Sequence, residues 1–339
     1  MVNIKLSQNP IFIVGFPRSG TTLLQSLLIT QSNFYSFPET HFFCTISRFI
    51  EIDERGYVNP KCLDLVKRKI FEKINHKFST IAEKNIFILA DKNILTVKII
   101  FEYLIIDLLS KQIEEKKIPT IHWLEKTPSH IFHIETIQSY YPNAKFIEII
   151  RNPLNSIYSS KVNFENLNSG EESNQISPSM LANRWKDGFH LYNRLMNRYP
   201  KNLYTVKYEN LIKNVNYEFS KIANYLNFEP DLNKLKSIKS ASKSIVLDRE
   251  IWKKKNLQEN IITSQKNYQW QWKEKLKLNY LLKDELLSLG YVNQISYIQY
   301  IYNGCMNLIY SLTKVGFLNQ LKRRGKYFLK KLDLWPYLK

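Results

Sequence analysis

The chain has 339 residues, 44% of them hydrophobic, and its 49 Lys and Arg against 30 Asp and Glu give a formal net charge of +19. That length and apolar content support a sizeable buried core and exclude a disordered chain. The charge favours polyanionic nucleotides, acidic substrates or anionic lipid heads as partners; no zinc-finger, RNP-type or helix-turn-helix pattern accompanies it, so nucleic-acid binding is not expected.

The first residues lack the basic-then-apolar signature of a leader. Cys44, Cys62 and Cys305 lie far apart, with neither metal nor disulfide spacing. Together these features point to a reducing, cytoplasmic setting.

Residues 11–14 form a short apolar run that predicts a buried strand. A tight turn, Gly15-Phe16-Pro17-Arg18-Ser19-Gly20, follows, and Thr21 opens a segment with Leu23, Leu24, Leu27 and Leu28 at helical spacing. A strand, a Gly-bounded turn and a helix N-terminus together make an anion site, because unpaired amides and the helix dipole point at the ligand. Gly15 and Gly20 have the spacing of the triphosphatase pattern GxxxxGK[ST], but Thr21 stands where its Lys belongs. The positive charge sits inside the turn, at Arg18. Such a loop suits a 5′-phosphate on a donor with no γ-phosphate.

In residues 33–43, Pro38 argues against a strand. Glu39-Thr40-His41 then leads into an apolar helical segment, where Glu39 alone reads equally well as a first-turn charge. Residues 51–119 read as mostly helical. The apolar run 94–109 is interrupted by Lys98, Glu102 and Asp107, which makes it a core helix rather than a membrane span.

A second short strand, residues 121–124, ends in Glu125-Lys126-Thr127-Pro128, with Pro128 suited to a helix start. Lys126 alone reads as a solvated strand-end side chain. His130 and His133 have no third ligand in view, so no metal site is expected. Residues 146–150 predict a strand with Arg151 at its C-terminal edge, where open α/β sheets bind ligands. Pro153 starts a helix that carries Ser159, and an Arg with a hydroxyl fits one phosphate.

Residues 163–178 read as a polar loop, and 180–198 as a helix whose Trp185 and Phe189 belong to the core. Residues 203–210 predict a strand running into a helix at Tyr208. Residues 230–272 are Lys- and Ser-rich with little periodicity, and a helix from Trp272 ends at Gly290. Residues 293–339 are first amphipathic and then basic, with eight Lys or Arg against one Asp across 301–339. That combination fits a helix lying on an anionic membrane surface. It equally fits an arm packed on its own domain or on a second copy in a homodimer.

PRSGTT after a strand, EKTP at a strand end and the RxPxxxxxS spacing from Arg151 to Ser159 resemble the motifs of sulfotransferases, in particular those related to the tyrosylprotein enzymes. The resemblance implies an α/β fold with a P-loop-like, mostly parallel sheet flanked by helices. Residues 1–292 would form the domain and 293–339 a basic helical extension. It further implies sulfonate transfer from 3′-phosphoadenosine-5′-phosphosulfate (PAPS) to an acceptor hydroxyl or amine by in-line displacement, with no metal. The acceptor class stays open among small molecules, carbohydrates, lipids and peptides. Arg18, Ser19, Gly20, Thr21 and Thr22 match the 5′-phosphosulfate loop, Arg151 and Ser159 the 3′-phosphate motif, and Tyr208 an adenine contact. Ser264 and Lys266 match a late segment that closes over the 3′-phosphate. Glu39 matches the catalytic base, with His41 as its rival, and Arg18 and Lys126 match the groups that stabilise the transferring sulfonate. Enzymes of the cytosolic type carry a His base two residues after the equivalent Lys; here that place holds Pro128. The competing readings are a P-loop kinase, against which the missing Walker Lys argues, and a nucleotide-binding protein without turnover, against which the complete residue set argues.

Overall fold

The computed structural model describes residues 5–32, 34–46, 48–74, 76–113, 120–167, 176–246 and 268–292. Ser264, Lys266, Cys305 and the whole extension 293–339 lie outside these residues. Those described within Met1–Arg151 and Asp187–Asn267 form one compact unit, and those within Asn152–Lys186 and Tyr268–Lys339 a second.

The first unit is built on a five-stranded sheet of order β2-β3-β1-β4-β5, with β1 at Ile11–Gly15, β2 at Phe34–Ser36, β3 at His122–Lys126, β4 at Lys145–Ile150 and β5 at Leu203–Lys207. Every pairing is parallel, as in Ile13↔Lys126, Gly15↔Ile149 and Ile150↔Lys207. A parallel sheet must be covered on both faces, and side-chain alternation sorts its apolar residues accordingly. Phe12, Val14, Trp123 and Phe146 join one cluster; Ile11, Ile13, Leu124, Ile147, Ile149 and Val206 join another. Helices α1 (Thr21–Ile29), α2 (Phe42–Ile46), α3 (Leu63–Ile74), α4 (Thr80–Asp91), α5 (Val97–Ile113) and α6 (Ile134–Tyr140) precede β4. The run 94–109 contributes to α5, whose Ile100, Phe101, Leu104, Ile105 and Leu109 are buried in the first cluster. No described helix is long and apolar enough to cross a membrane.

The second unit holds α7 (Pro153–Leu167), the first part of α8 (Pro178–Arg198) and the helices Trp272–Leu281 and Lys283–Ser288. Here Tyr158 packs against Tyr268 and Trp270, with ring centroids 5.1 and 5.0 Å away. Trp185 and Phe189 on α8 are buried, as their core assignment requires.

Two sequence expectations change. A strand does form ahead of Pro38: β2 pairs with β3 alone at the edge and stops at Ser36, so the proline lies beyond the ladder and takes no amide from it. The segment from 163 is helical before any loop, because α7 continues to Leu167. Its Asn- and Glu-rich end looks like loop composition but follows nearly three turns of established helix.

Glu148 sits in the middle of β4, 3% exposed, with the Thr205 hydroxyl 3.5 Å away. Burial pushes its carboxyl well above the ordinary glutamate value, against a smaller lowering by Thr205. The folded state therefore holds a proton that the unfolded chain loses near pH 4.5. This contribution is complete below that pH and is lost as pH rises towards the folded value. Glu148→Gln removes the dependence. Its stability relative to wild type should grow by up to about 1.4 kcal/mol per pH unit above pH 5, as measured by urea unfolding at several pH values. A constant difference across pH 5–8 would contradict a neutral buried acid.

Candidate functional site

Because all five strands are parallel, the loops leaving their C-terminal ends share one edge of the sheet. The loop after β1 begins with a close approach. A Cβ on Gly15, at φ 142°, would stand 2.9 Å from the Ile149 carbonyl oxygen of β4. The turn then places Arg18 in the left-handed region at φ 69° and Gly20 at φ 102°. At Gly20 a Cβ would collide with the Tyr208 ring, so only glycine fits. Helix α1 starts directly after it, with no side-chain cap at Gly20 and no acid in its first turn. Its first amides and the positive end of its dipole are thus available to an anion. Ser19 is fully buried, Thr21 nearly so, and Thr22 half-buried.

Arg151 joins this loop from the end of β4. Its Nη1 donates to the Arg18 carbonyl at 3.1 Å, and its guanidinium carbon lies 4.5 Å from the centre of the Tyr208 ring. Tyr208 opens α9 (Tyr208–Lys213) straight after β5. Arg18, Gly20, Arg151 and Tyr208, drawn from three strand ends, therefore form one cluster. Ser159 lies half-buried on α7 in the second unit.

The loop after β2 and the end of β3 make a second cluster in the same unit. Lys126, the register neighbour of Ile13, is 1% exposed and donates to Glu39 Oε1. It is not a solvated strand-end lysine; the strand carries it into the interior, where it needs a partner. The other carboxylate oxygen of Glu39 lies 3.3 Å from His41 Nε2. Glu39 is not a first-turn charge either, since α2 begins at Phe42 with no acid in its first turn. Glu39 and His41 sit side by side, but Lys126 touches Glu39.

Beneath this pair is a group that the sequence reading passed over. Glu125 is fully buried. It accepts from the hydroxyls of Thr127 and Thr40, at 2.6 and 2.9 Å, and pairs with His130 Nδ1 at 2.8 Å. Burial alone would raise the Glu125 carboxyl, but the His130 charge and the two hydroxyls outweigh it and hold it below the usual range. Burial likewise disfavours a charged His130, yet Glu125 keeps its ring protonated well above the ordinary histidine value. Cys44, 3.2 Å from the Ser129 hydroxyl, would also be raised by burial, and His130 and His133 instead pull its thiol down. The sequence signal for this group was slight, two charged residues, Glu125 and Lys126, that directly continue an apolar strand; their burial is seen only in the structure. His130 faces Glu125, and among the described residues no group of three His, Cys, Asp or Glu could hold a metal.

Residues 10–231 match the family model described as the sulfotransferase family. No curated protein sequence matches the chain. Among solved structures it resembles the sulfotransferase domain from the Synechococcus PCC 7002 olefin synthase, at 19% identity and a TM-score of 0.50, over 82% of this chain and 96% of that one. The sulfotransferase domain from the curacin biosynthetic pathway gives 19% identity and 0.49 over 81% and 97%. The mouse sulfotransferase SULT7A1 complexed with PAP gives 13% and 0.42 over 84% and 85%.

The fit of Gly20 under Tyr208 is directly testable. Gly20→Ala should lose stability by about 1–3 kcal/mol from its left-handed backbone alone, with the ring collision added. Tyr208→Ala in the same background should recover the collision part only. Urea unfolding of the wild type, the two single variants and the double variant reads this out; a Gly20→Ala loss under about 0.5 kcal/mol would be ordinary surface behaviour and would contradict it.

Proposed function

The chain belongs to the sulfotransferase family, and we propose that it moves the sulfonate of PAPS to an acceptor hydroxyl or amine, with Glu39 as base and Lys126 and Arg18 as the charge-stabilising groups. The observation that carries this reading is the Glu39–Lys126 pair, made across 87 residues at the sheet edge that also bears the PRSGTT loop. A buried lysine and a mostly buried carboxylate at a ligand-binding edge are costly to a fold that has no use for them.

The residues present fit the donor. The uncapped start of α1 and the buried hydroxyls of Ser19 and Thr21 suit a 5′-phosphosulfate. Arg151 suits the 3′-phosphate, and the Tyr208 ring suits a base. Ser159, on the second unit, and Ser264 and Lys266, outside the described residues, are assigned to the 3′-phosphate by the motif resemblance. When bound, the donor supplies an activated sulfonate.

Until then, Lys126 and Glu39 satisfy each other. Once Lys126 donates instead to the transferring group, Glu39 loses its cationic partner and becomes the better proton acceptor. Glu39 then takes the acceptor proton, while Lys126 and Arg18 offset the negative charge that builds as transfer proceeds. Arg18 is well placed in chemistry for this, being permanently charged. The same division of labour serves a small-molecule, carbohydrate, lipid or peptide acceptor, and residues 1–292 carry all of it.

Transfer of radiolabelled sulfonate from PAPS to a panel of phenols, alcohols, amino sugars and tyrosyl peptides tests the activity. Glu39→Gln should lower turnover by about 10²–10⁴ and leave the affinity for 3′-phosphoadenosine-5′-phosphate unchanged by calorimetry. His41→Ala should stay within a few-fold of wild type. If Glu39→Gln turns over normally and His41→Ala does not, the base is His41.

A further inference from the structure

The β2–β3 pairing ends at Ser36↔Leu124, and Glu39 and Lys126 both lie beyond it, Glu39 in the loop that follows β2 and Lys126 as the last residue of β3. Something must set their separation. Three hydrogen bonds cross between the two segments, and a fourth, within the β3 end, joins their acceptors. Thr40 Oγ1 donates to Glu125 Oε1 at 2.9 Å, and the Thr40 amide points at the same oxygen at 3.4 Å. Thr127 Oγ1 donates to that oxygen at 2.6 Å. The His41 amide then donates to Thr127 Oγ1 at 3.2 Å. The residue after Glu39 is thus tied to the residue before Lys126, and the residue after that is tied to the residue following Lys126. His41 holds φ 51°, a strained conformation for a non-glycine residue, in the middle of these ties. Glu125 Oε2 is taken by His130 Nδ1, which fixes the carboxylate plane. Glu125, Thr40, Thr127 and His130 are all 1% exposed or less, so no water competes for the same bonds.

We propose that Glu125 is a positioning residue for the transfer. Its carboxylate, through Thr40 and Thr127, clamps the Glu39 turn onto the Lys126 strand end and so sets the geometry of the reacting pair. This rests on reading Glu39 and Lys126 as that pair. The Glu125 side chain acts through the hydroxyls of Thr40 and Thr127, the residues that follow Glu39 and Lys126. The buried His130 keeps it ionised, and an ionised oxygen accepts several short bonds at once. A protonated or amide side chain at 125 could not serve both threonines and His130 equally.

Removing Glu125 would leave buried His130 without its partner, so the decisive variants are Thr40→Val and Thr127→Val, which keep shape and lose one hydroxyl each. Two measurements on the full chain separate positioning from mere structure. In native-state hydrogen exchange, Thr127→Val should speed the His41 amide by at least tenfold while the amides of β1 keep their protection. In single-turnover transfer of radiolabelled sulfonate, each Val variant should lose about 10–100-fold in rate through misplacement of the pair, with the affinity for 3′-phosphoadenosine-5′-phosphate unchanged. Thr40→Ser, which restores the hydroxyl, should recover most of the rate. Unchanged His41 exchange, a rate loss that Thr40→Ser does not rescue, or full-rate Val variants beside an inactive Glu39→Gln would each overturn the clamp. A fully active Glu39→Gln would instead overturn the assignment of the pair beneath it.

Discussion

The pairing of β1 with β4 is the constraint on which the site depends. Gly15 lies opposite Ile149, and the space above it is closed by the Ile149 carbonyl. The chain can therefore leave β1 only by a sharp turn over the end of β4. That turn brings the Arg18 carbonyl to Arg151, 133 residues further along, and lays Gly20 under Tyr208. A side chain at either glycine would break the sequence of contacts. The uncapped start of α1 follows from the same turn, since Gly20 has no side chain with which to cap it.

The site is not simply a basic patch, although the chain as a whole carries +19. Its charges are matched in layers. The Arg151 guanidinium sits against the Arg18 carbonyl and the Tyr208 ring. Lys126 is buried and matched by Glu39. Below them Glu125 is matched by His130 and by two hydroxyls. Matching increases with burial, as the rising cost of an isolated charge in a low-dielectric interior requires. On the proposed reading the β1 loop with Arg18 and Arg151 receives the phosphorylated donor, and the Glu39–Lys126 pair is where proton and sulfonate chemistry would need opposite charges held close.

How much of this the sequence disclosed follows from how local each feature is. The β1 loop, the ends of β3 and β4 and the strand–helix junction at Tyr208 were readable because each is a strand, a turn and a helix start within a few residues. The mostly parallel sheet was implied by the resemblance that these motifs carry. Glu39 and Lys126 could be named by resemblance to a family, but their direct contact spans 87 residues and no local pattern encodes it. Glu125 was hidden by its neighbour: in EKTP the eye goes to the lysine, and only burial reveals that the glutamate faces inward to Thr40 and His130. Edge strand β2 is three residues long, too short for alternation to show. The end of α7 was masked by polar composition, which outweighed the helix already under way. Ser264 and Lys266 stand on resemblance alone.

On the proposed function, Arg18 and Arg151, brought together by the β1–β4 pairing, form one receptor for a nucleotide carrying phosphate at both its 5′ and 3′ ends. Calorimetric titration of the wild-type chain, in the presence of EDTA, with 3′-phosphoadenosine-5′-phosphate and with adenosine 5′-monophosphate tests it most directly. The bisphosphate should bind at least about tenfold more tightly, the effect of one additional charge-assisted contact, and should do so without a divalent cation. Equal affinity for the two nucleotides, or binding only of a nucleoside triphosphate with Mg²⁺, would contradict it.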